Sequence, residues 1–247
     1  MLHIDGVAHQ YEGPGGTVPA LSRLSFTVRD GEFVSIVGPS GCGKSTLLRI
    51  IAGLLHPSEG SVTLNGKLID SPQREIGLVF QQPTLMPWRT VLDNVALPLE
   101  LEGVSQEIRV QAAQEVITRV GLAGFEQHFP AQLSGGMAQR VGIGRALIYD
   151  PDVLLLDEPF GALDALTREQ MALELMTLWT AERKTAIMVT HSISEAVFLS
   201  ERVLVMSKRP GAILADIPIT LPRPRNLDML YAPDFGSISQ QIHRALE

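Results

Sequence analysis

The chain lacks most of what marks a secreted, membrane-embedded or duplex-binding protein. It has one cysteine, Cys42, so no internal disulfide can form, which agrees with a reducing compartment. Its apolar runs are short, and none approaches the roughly 18 residues a membrane span requires. The net charge is −7 and no dense Lys/Arg block occurs, so no nucleic-acid partner is expected. The start, Met1-Leu2-His3-Ile4-Asp5, has no basic-then-apolar leader, and the expectation is a chain that stays in the cytosol. What remains is a globular composition: 247 residues with 45% hydrophobic and 19% charged side chains can bury a full core.

Four apolar runs bounded by polar residues or glycine suit strands buried on both faces: residues 33–37, 76–80, 153–156 and 186–189. Helix-period patterns lie between them, such as Leu47, Ile51 and Leu54, then Met171, Leu175 and Leu178. This alternation predicts an α/β fold with a mostly parallel sheet. Residues 1–31 and 61–69 read as an antiparallel β layer, the second turning at Asn65-Gly66. From about 87 to 150 only helical stretches are expected, including 108–120 and 137–148. A further apolar run, 203–206, precedes a Pro-rich stretch at 221–225 and a tail in which Ile238, Ile242 and Leu246 share a helix face. The expected organisation is one domain: a core plus β layer over about 1–86 and 151–220, a helical insertion over about 87–150, and a tail over 221–247.

The stretch Gly38-Pro39-Ser40-Gly41-Cys42-Gly43-Lys44-Ser45-Thr46 follows the first buried run and opens a helical pattern. Glycines there let backbone N–H groups converge on phosphate oxygens, Lys44 supplies a cation for terminal phosphates, and Ser45 offers a hydroxyl to Mg²⁺. Asp157-Glu158 closes the third run, where Asp157 suits the metal's shell and Glu158 a general base for water; capping of the next helix is the alternative. His191 and Gln81 end two other runs, so each is either a phosphate-side group or an ordinary strand-end residue. Ser134-Gly135-Gly136-Met137 precedes a helical stretch and is either a second anion site or a plain N-cap.

Together these residues resemble the ATP-binding cassette (ABC) family over nearly the whole chain. Residues 38–46 are similar to its Walker A, Gln81 to its Q-loop, 133–137 to its LSGGQ-type signature with Met137 for glutamine, and 153–158 to its Walker B. Residues 161–164, ending in Asp164, resemble the D-loop, and His191 the switch histidine. The resemblance implies a P-loop NTPase (RecA-like) core with an antiparallel β layer and a helical subdomain. It also implies ATP and Mg²⁺ as ligands, with Ser45, Gln81 and Asp157 around the metal. Tyr11 sits where the family places an aromatic against adenine, or else is a half-buried strand tyrosine. Glu158, His191, Gln81 and Lys44 are the expected catalytic set.

The family further implies a head-to-tail dimer in which one copy's signature closes over nucleotide in the other's P-loop. The phrases DEPFGALDALTR, LMPWRTVLDNV, SKRPGAI and LPRPR, read as outside the ATP chemistry, look like ATPase subunits of nitrate, sulfonate, taurine and bicarbonate importers, some relatives of which carry thiamine precursors. Such subunits lie at the cytoplasmic face of the inner membrane, with permease subunits and, indirectly, a solute-binding protein. Leu85-Met86-Pro87-Trp88 is then a docking patch for the permease, unless Trp88 packs into the helical insertion. Two other classes remain in view: a non-transport ABC ATPase, and a P-loop small-molecule kinase that leaves 133–137 unexplained.

Overall fold

The structure, a computed structural model, describes residues 1–13 and 16–247. The elements run β1 (Leu2–Gly13), β2 (Gly16–Val28), β3 (Phe33–Val37), α1 (Lys44–Ile51), β4 (Glu59–Leu64), β5 (Lys67–Leu68), β6 (Ile76–Val79), α2 (Val91–Leu101) and α3 (Gln106–Arg119). Then come α4 (Gly135–Leu147), β7 (Val153–Asp157), α5 (Ala165–Glu182), β8 (Thr185–Thr190), α6 (Ile193–Leu199), β9 (Arg202–Met206), β10 (Ile213–Pro218) and α7 (Pro233–Leu246). The chain forms an α/β P-loop core and divides into two compact units, Met1–Gln73 with Arg183–Glu247, and Arg74–Glu182.

In the first unit, β3 lies between β8 and β9 and is parallel to both, and β10 is antiparallel to β9. Every residue of β3 and β8 is buried, as expected of parallel strands covered on both faces. An antiparallel sheet in the order β2-β1-β4-β5 supplies the β layer, turning at Asn65-Gly66. α1 departs from the sequence pattern: it stops at Ile51, Gly53 takes φ +71° against the Ser71 carbonyl, and Leu54 is exposed. β10 was not foreseen, because Ile213–Pro218 contains an aspartate and a proline and shows no clean run.

The Pro-rich stretch is anchored rather than loose. Arg225 is buried, and its Nη1 donates to the carbonyls of Val197, Phe198 and Ser200 while Nη2 donates to Leu221. It thereby satisfies acceptors at the end of α6 that no further helical turn supplies. Burial lowers its pKa to about 10, with the neighbouring Arg223 charge adding to the shift. Beyond it, α7 buries Phe235 and Ile242, so its inward face begins at Phe235.

In the second unit β6 and β7 pair in parallel, and α4 packs on β6 so closely that a Cβ on Gly77 would lie 2.6 Å from the Ala146 carbonyl oxygen. Gly144 of α4 faces Val95 of α2 and Val116 of α3, which makes a three-helix group. No strand interrupts 87–150.

Replacing Arg225 by alanine would orphan several buried carbonyls, at about 1–3 kcal/mol for each left unpaired. We expect Arg225→Ala to lower Tm by at least about 6 °C in a thermal melt; an unchanged Tm would mean the stretch is not a structural anchor.

Candidate functional site

The first unit holds the glycine-rich loop. β3 delivers Gly38, and the chain turns through Gly41 (φ +76°) and Gly43 (φ +110°) into α1. A Cβ on Gly43 would meet Leu21 Cδ2 at 2.6 Å and the Ala20 carbonyl oxygen at 2.8 Å, so only glycine fits between the loop and β2. Gly43 is the N-cap of α1 and makes no side-chain cap bond. Lys44 is 6% exposed, and its Nζ donates to the carbonyls of Gly38 (2.7 Å) and Pro39 (3.1 Å), which bends the ammonium back across the loop. Loop residues 38–46 carry N–H groups, hydroxyls and one ammonium but no carboxylate. That donor set fits a polyphosphate anion.

Ser40 and Gly41 form the exposed rim, while Cys42 is buried. The Thr46 hydroxyl lies 3.0 Å from the Tyr11 hydroxyl, so β1 meets the loop through that pair. SKRPGAI reads in the sequence as outside this chemistry, yet Gly211 lies against the loop. A Cβ there would be 2.2 Å from the Cys42 carbonyl oxygen, and the Gly211 backbone bonds Ala20 and Ser22. The clue in the sequence was a glycine after proline, which does not name its neighbour.

Also in this unit, β8 ends at Thr190 and presents His191 on an exposed turn. That turn is locked: Thr190 Oγ1 donates to Glu195 Oε2 at 2.6 Å and accepts from Ser192 N, and Ser192 caps α6.

The second unit gathers the other candidates. β7 ends at half-buried Asp157, and Glu158 follows in the left-handed region at φ 44°. Gln81 Nε2 donates to Glu158 Oε2 at 3.4 Å. Gly161 sits under this pair, where a Cβ would come within 3.2 Å of Gln81 Nε2. The helix that follows begins only at Ala165, and its first turn is capped by Asp164, which accepts from Thr167 N and from the Thr167 hydroxyl. Those bonds, the hydroxyl's first, lower the Asp164 pKa. Capping of that first turn therefore belongs to Asp164.

Ser134 caps α4, its Oγ accepting from Met137 N at 3.2 Å, and Gly135 and Gly136 pack against Leu163 and Thr167. The serine thus has the plain N-cap role, and the same glycines bring the α4 start against the turn that holds Asp164. Two residues not singled out from the sequence strap the segment after β6 to α4. Buried Gln139 donates to the Phe80 carbonyl, and Arg145 to those of Pro83 and Thr84. A lone polar residue on the inner side of α4 was their only signal. Farther along, fully buried Asn94 bonds Met86, Arg89 and Thr90, which fixes the turn holding Trp88. Trp88 is 72% exposed, so it does not pack into the helices.

Among the described residues, no cluster of three or more His, Cys, Asp or Glu side chains could hold a metal, and no helix is long and apolar enough to cross a membrane. The Ser45 hydroxyl in the first unit and the Asp157 carboxylate in the second are each hard oxygen donors of the kind Mg²⁺ takes.

Residues 21–161 match the family described as ABC transporter. The chain is 51% identical over 225 residues to an uncharacterized ABC transporter ATP-binding protein of Methanocaldococcus jannaschii, covering 91% of this chain and 84% of that one. It is 50% identical over 214 residues to the taurine import ATP-binding protein TauB of Yersinia pestis, covering 87% and 82%. It is similar to a solved dimeric ATP-binding cassette in a post-hydrolysis state bound to ADP and Pi, with a TM-score of 0.78 and 36% identity over 90% of this chain and all of that one.

Cys42 is 1% exposed inside the loop. We expect its thiol to react with a bulky aromatic disulfide reagent at least about tenfold more slowly in the folded protein than in denaturant. Equal rates would show that the loop opens readily.

Proposed function

Because the chain belongs to the ABC transporter family and is an ATPase, we propose that it is the energy-coupling subunit of an importer, working as a head-to-tail pair. The observation that carries this reading is the Gln81–Glu158 contact. It ties the candidate base to a segment that is strapped onto α4 and leads to exposed Trp88. A partner seated on Leu85–Trp88 would therefore be felt at the reacting end of the nucleotide.

In this reading, N–H groups of residues 38–46 and the Lys44 ammonium hold the triphosphate of ATP, and Tyr11 stacks on its adenine. Ser45, Asp157 and Gln81 are the residues that would hold Mg²⁺, which would supply positive charge against the phosphates. Glu158 accepts a proton from the water that attacks the γ-phosphorus, and ADP leaves with inorganic phosphate as the other product. His191, on the turn that Thr190 and Ser192 fix, would donate to the γ-phosphate. The signature Ser134-Gly135-Gly136-Met137 closes over ATP bound by a second copy, and Asp164 lies beside that closure; exposed Leu166 and a shallow depression of about 320 Å³ at Ser134 and Met137 support such a face. The dimeric relative bound to ADP and Pi supports the same arrangement.

ATP that favours the closed pair over the open one, with hydrolysis removing that bias, supplies the work of transport. The permease would place the protein at the cytoplasmic face of the membrane, with a solute-binding protein delivering cargo. The solute belongs to the nitrate, sulfonate, taurine, bicarbonate or thiamine-precursor range, and the relatives named for taurine import favour a sulfonate. The reading keeps a division into a nucleotide core over about 1–86 and 151–220, a helical signature subdomain over about 87–150, and a tail.

Glu158→Gln should retain ATP binding, slow hydrolysis by at least about 100-fold, and accumulate an ATP-dependent dimer on gel filtration; rapid turnover would remove Glu158 as the base. Tagged Glu158→Gln protein, pulled down in mild detergent from its source cells, should bring a multi-span permease identified by mass spectrometry. Adding Trp88→Glu should abolish that recovery. Capture of soluble assemblies alone would overturn the importer reading.

A further inference from the structure

His9 is a buried imidazole with nothing polar to do. It is 8% exposed, and neither ring nitrogen has a hydrogen-bond partner. Buried polar groups are normally paired, so an unpaired ring in this position asks for a reason. His9 and Tyr11 are two residues apart on β1, and the pairing of β1 with β2 shifts register between Val7 and His9 and again between His9 and Gln10. The two rings meet edge to face, with centroids 4.6 Å apart and planes at 83°. At its far end the Tyr11 hydroxyl bonds Thr46 in the first turn of α1. Tyr11 is thus held at two points, by Thr46 at the tip and by His9 at the flank, and remains 37% exposed.

We propose that His9 is a positioning residue for nucleotide recognition: its ring fixes the orientation in which Tyr11 presents a face to adenine. This rests on the reading of Tyr11 as the adenine platform. Tyr11 lies near the end of the β1–β2 pairing at which Gly13 faces Gly16, and an unsupported side chain there would lose rotamer freedom on binding. The edge-to-face contact removes that freedom in advance, with centroids inside the range at which aromatic pairs attract. Since neither His9 nitrogen is bonded, what the site uses is the ring, and phenylalanine should replace it.

The test compares ATP with inorganic triphosphate, which has the phosphates and no base, by titration calorimetry on the whole chain. His9→Ala should weaken ATP about three- to tenfold and leave triphosphate within about twofold, and His9→Phe should restore ATP binding. Should His9→Ala not be recovered folded, His9→Leu fills the space without a ring and should give the same split. Equal weakening of ATP and triphosphate would reduce His9 to general packing and overturn the proposal. Unchanged ATP affinity in His9→Ala, with Tyr11→Ala weakened, would overturn it while leaving the platform intact. Unchanged ATP affinity in Tyr11→Ala would remove the platform itself, and the role of His9 with it.

Discussion

The first unit depends on three glycines that let separate pieces of chain touch the back of one loop. Gly43 admits β2 through Ala20 and Leu21, Gly38 admits Met206 at the end of β9, and Gly211 rests on the Cys42 carbonyl. The approaches at Gly43 and Gly211 are closer than a Cβ permits, and the one at Gly38 leaves Met206 tight at 3.0 Å. The loop is therefore clamped from behind by β2, β9 and the turn after β9, while its front keeps N–H groups and the Lys44 ammonium. Such prior fixation matters because phosphate oxygens are strongly hydrated, and only donors already aimed can replace their water without a further entropy cost.

The second unit meets a related constraint differently. Glu158 occupies a left-handed backbone conformation, costly for a residue with a side chain, and Gly161 gives Gln81 room to reach it. Asp164 takes the capping duty that an acid after β7 would otherwise perform. Two acids six residues apart thus have different contacts: Asp164 stabilises a helix end, and Glu158 accepts from Gln81.

Much of this was legible because buried parallel strands write themselves as short apolar runs. Phe33–Val37 is β3 in full, and β7 and β8 each extend the expected run by one or two residues. The phosphate loop was equally readable, since its glycines and lysine have few other joint uses. What stayed hidden was long-range pairing of ordinary residues. Arg225 sits in a stretch that reads as a linker, and only the folded position of α6 makes it a cap. Gln139 and Arg145 look like any polar helix residues until the carbonyls of Phe80, Pro83 and Thr84 arrive beside them. His9 sits in an alternating strand, where nothing local distinguishes a ring packed on Tyr11 from any other strand residue. α1 was overextended because Leu54 keeps the helical period after the chain has already turned at Gly53.

The placement of β3 also bears on how the protein is made. Both of its sheet neighbours, β8 and β9, are encoded far downstream, with the whole second unit in between. At about 5–20 residues per second, a ribosome needs roughly 8–35 s after finishing β3 to deliver the roughly 170 residues that complete its flanks. During that interval the phosphate loop exists as sequence without the strands that hold it. A nascent chain thus cannot engage nucleotide through a finished loop until most of it has been translated, so arrested fragments lack the completed cradle.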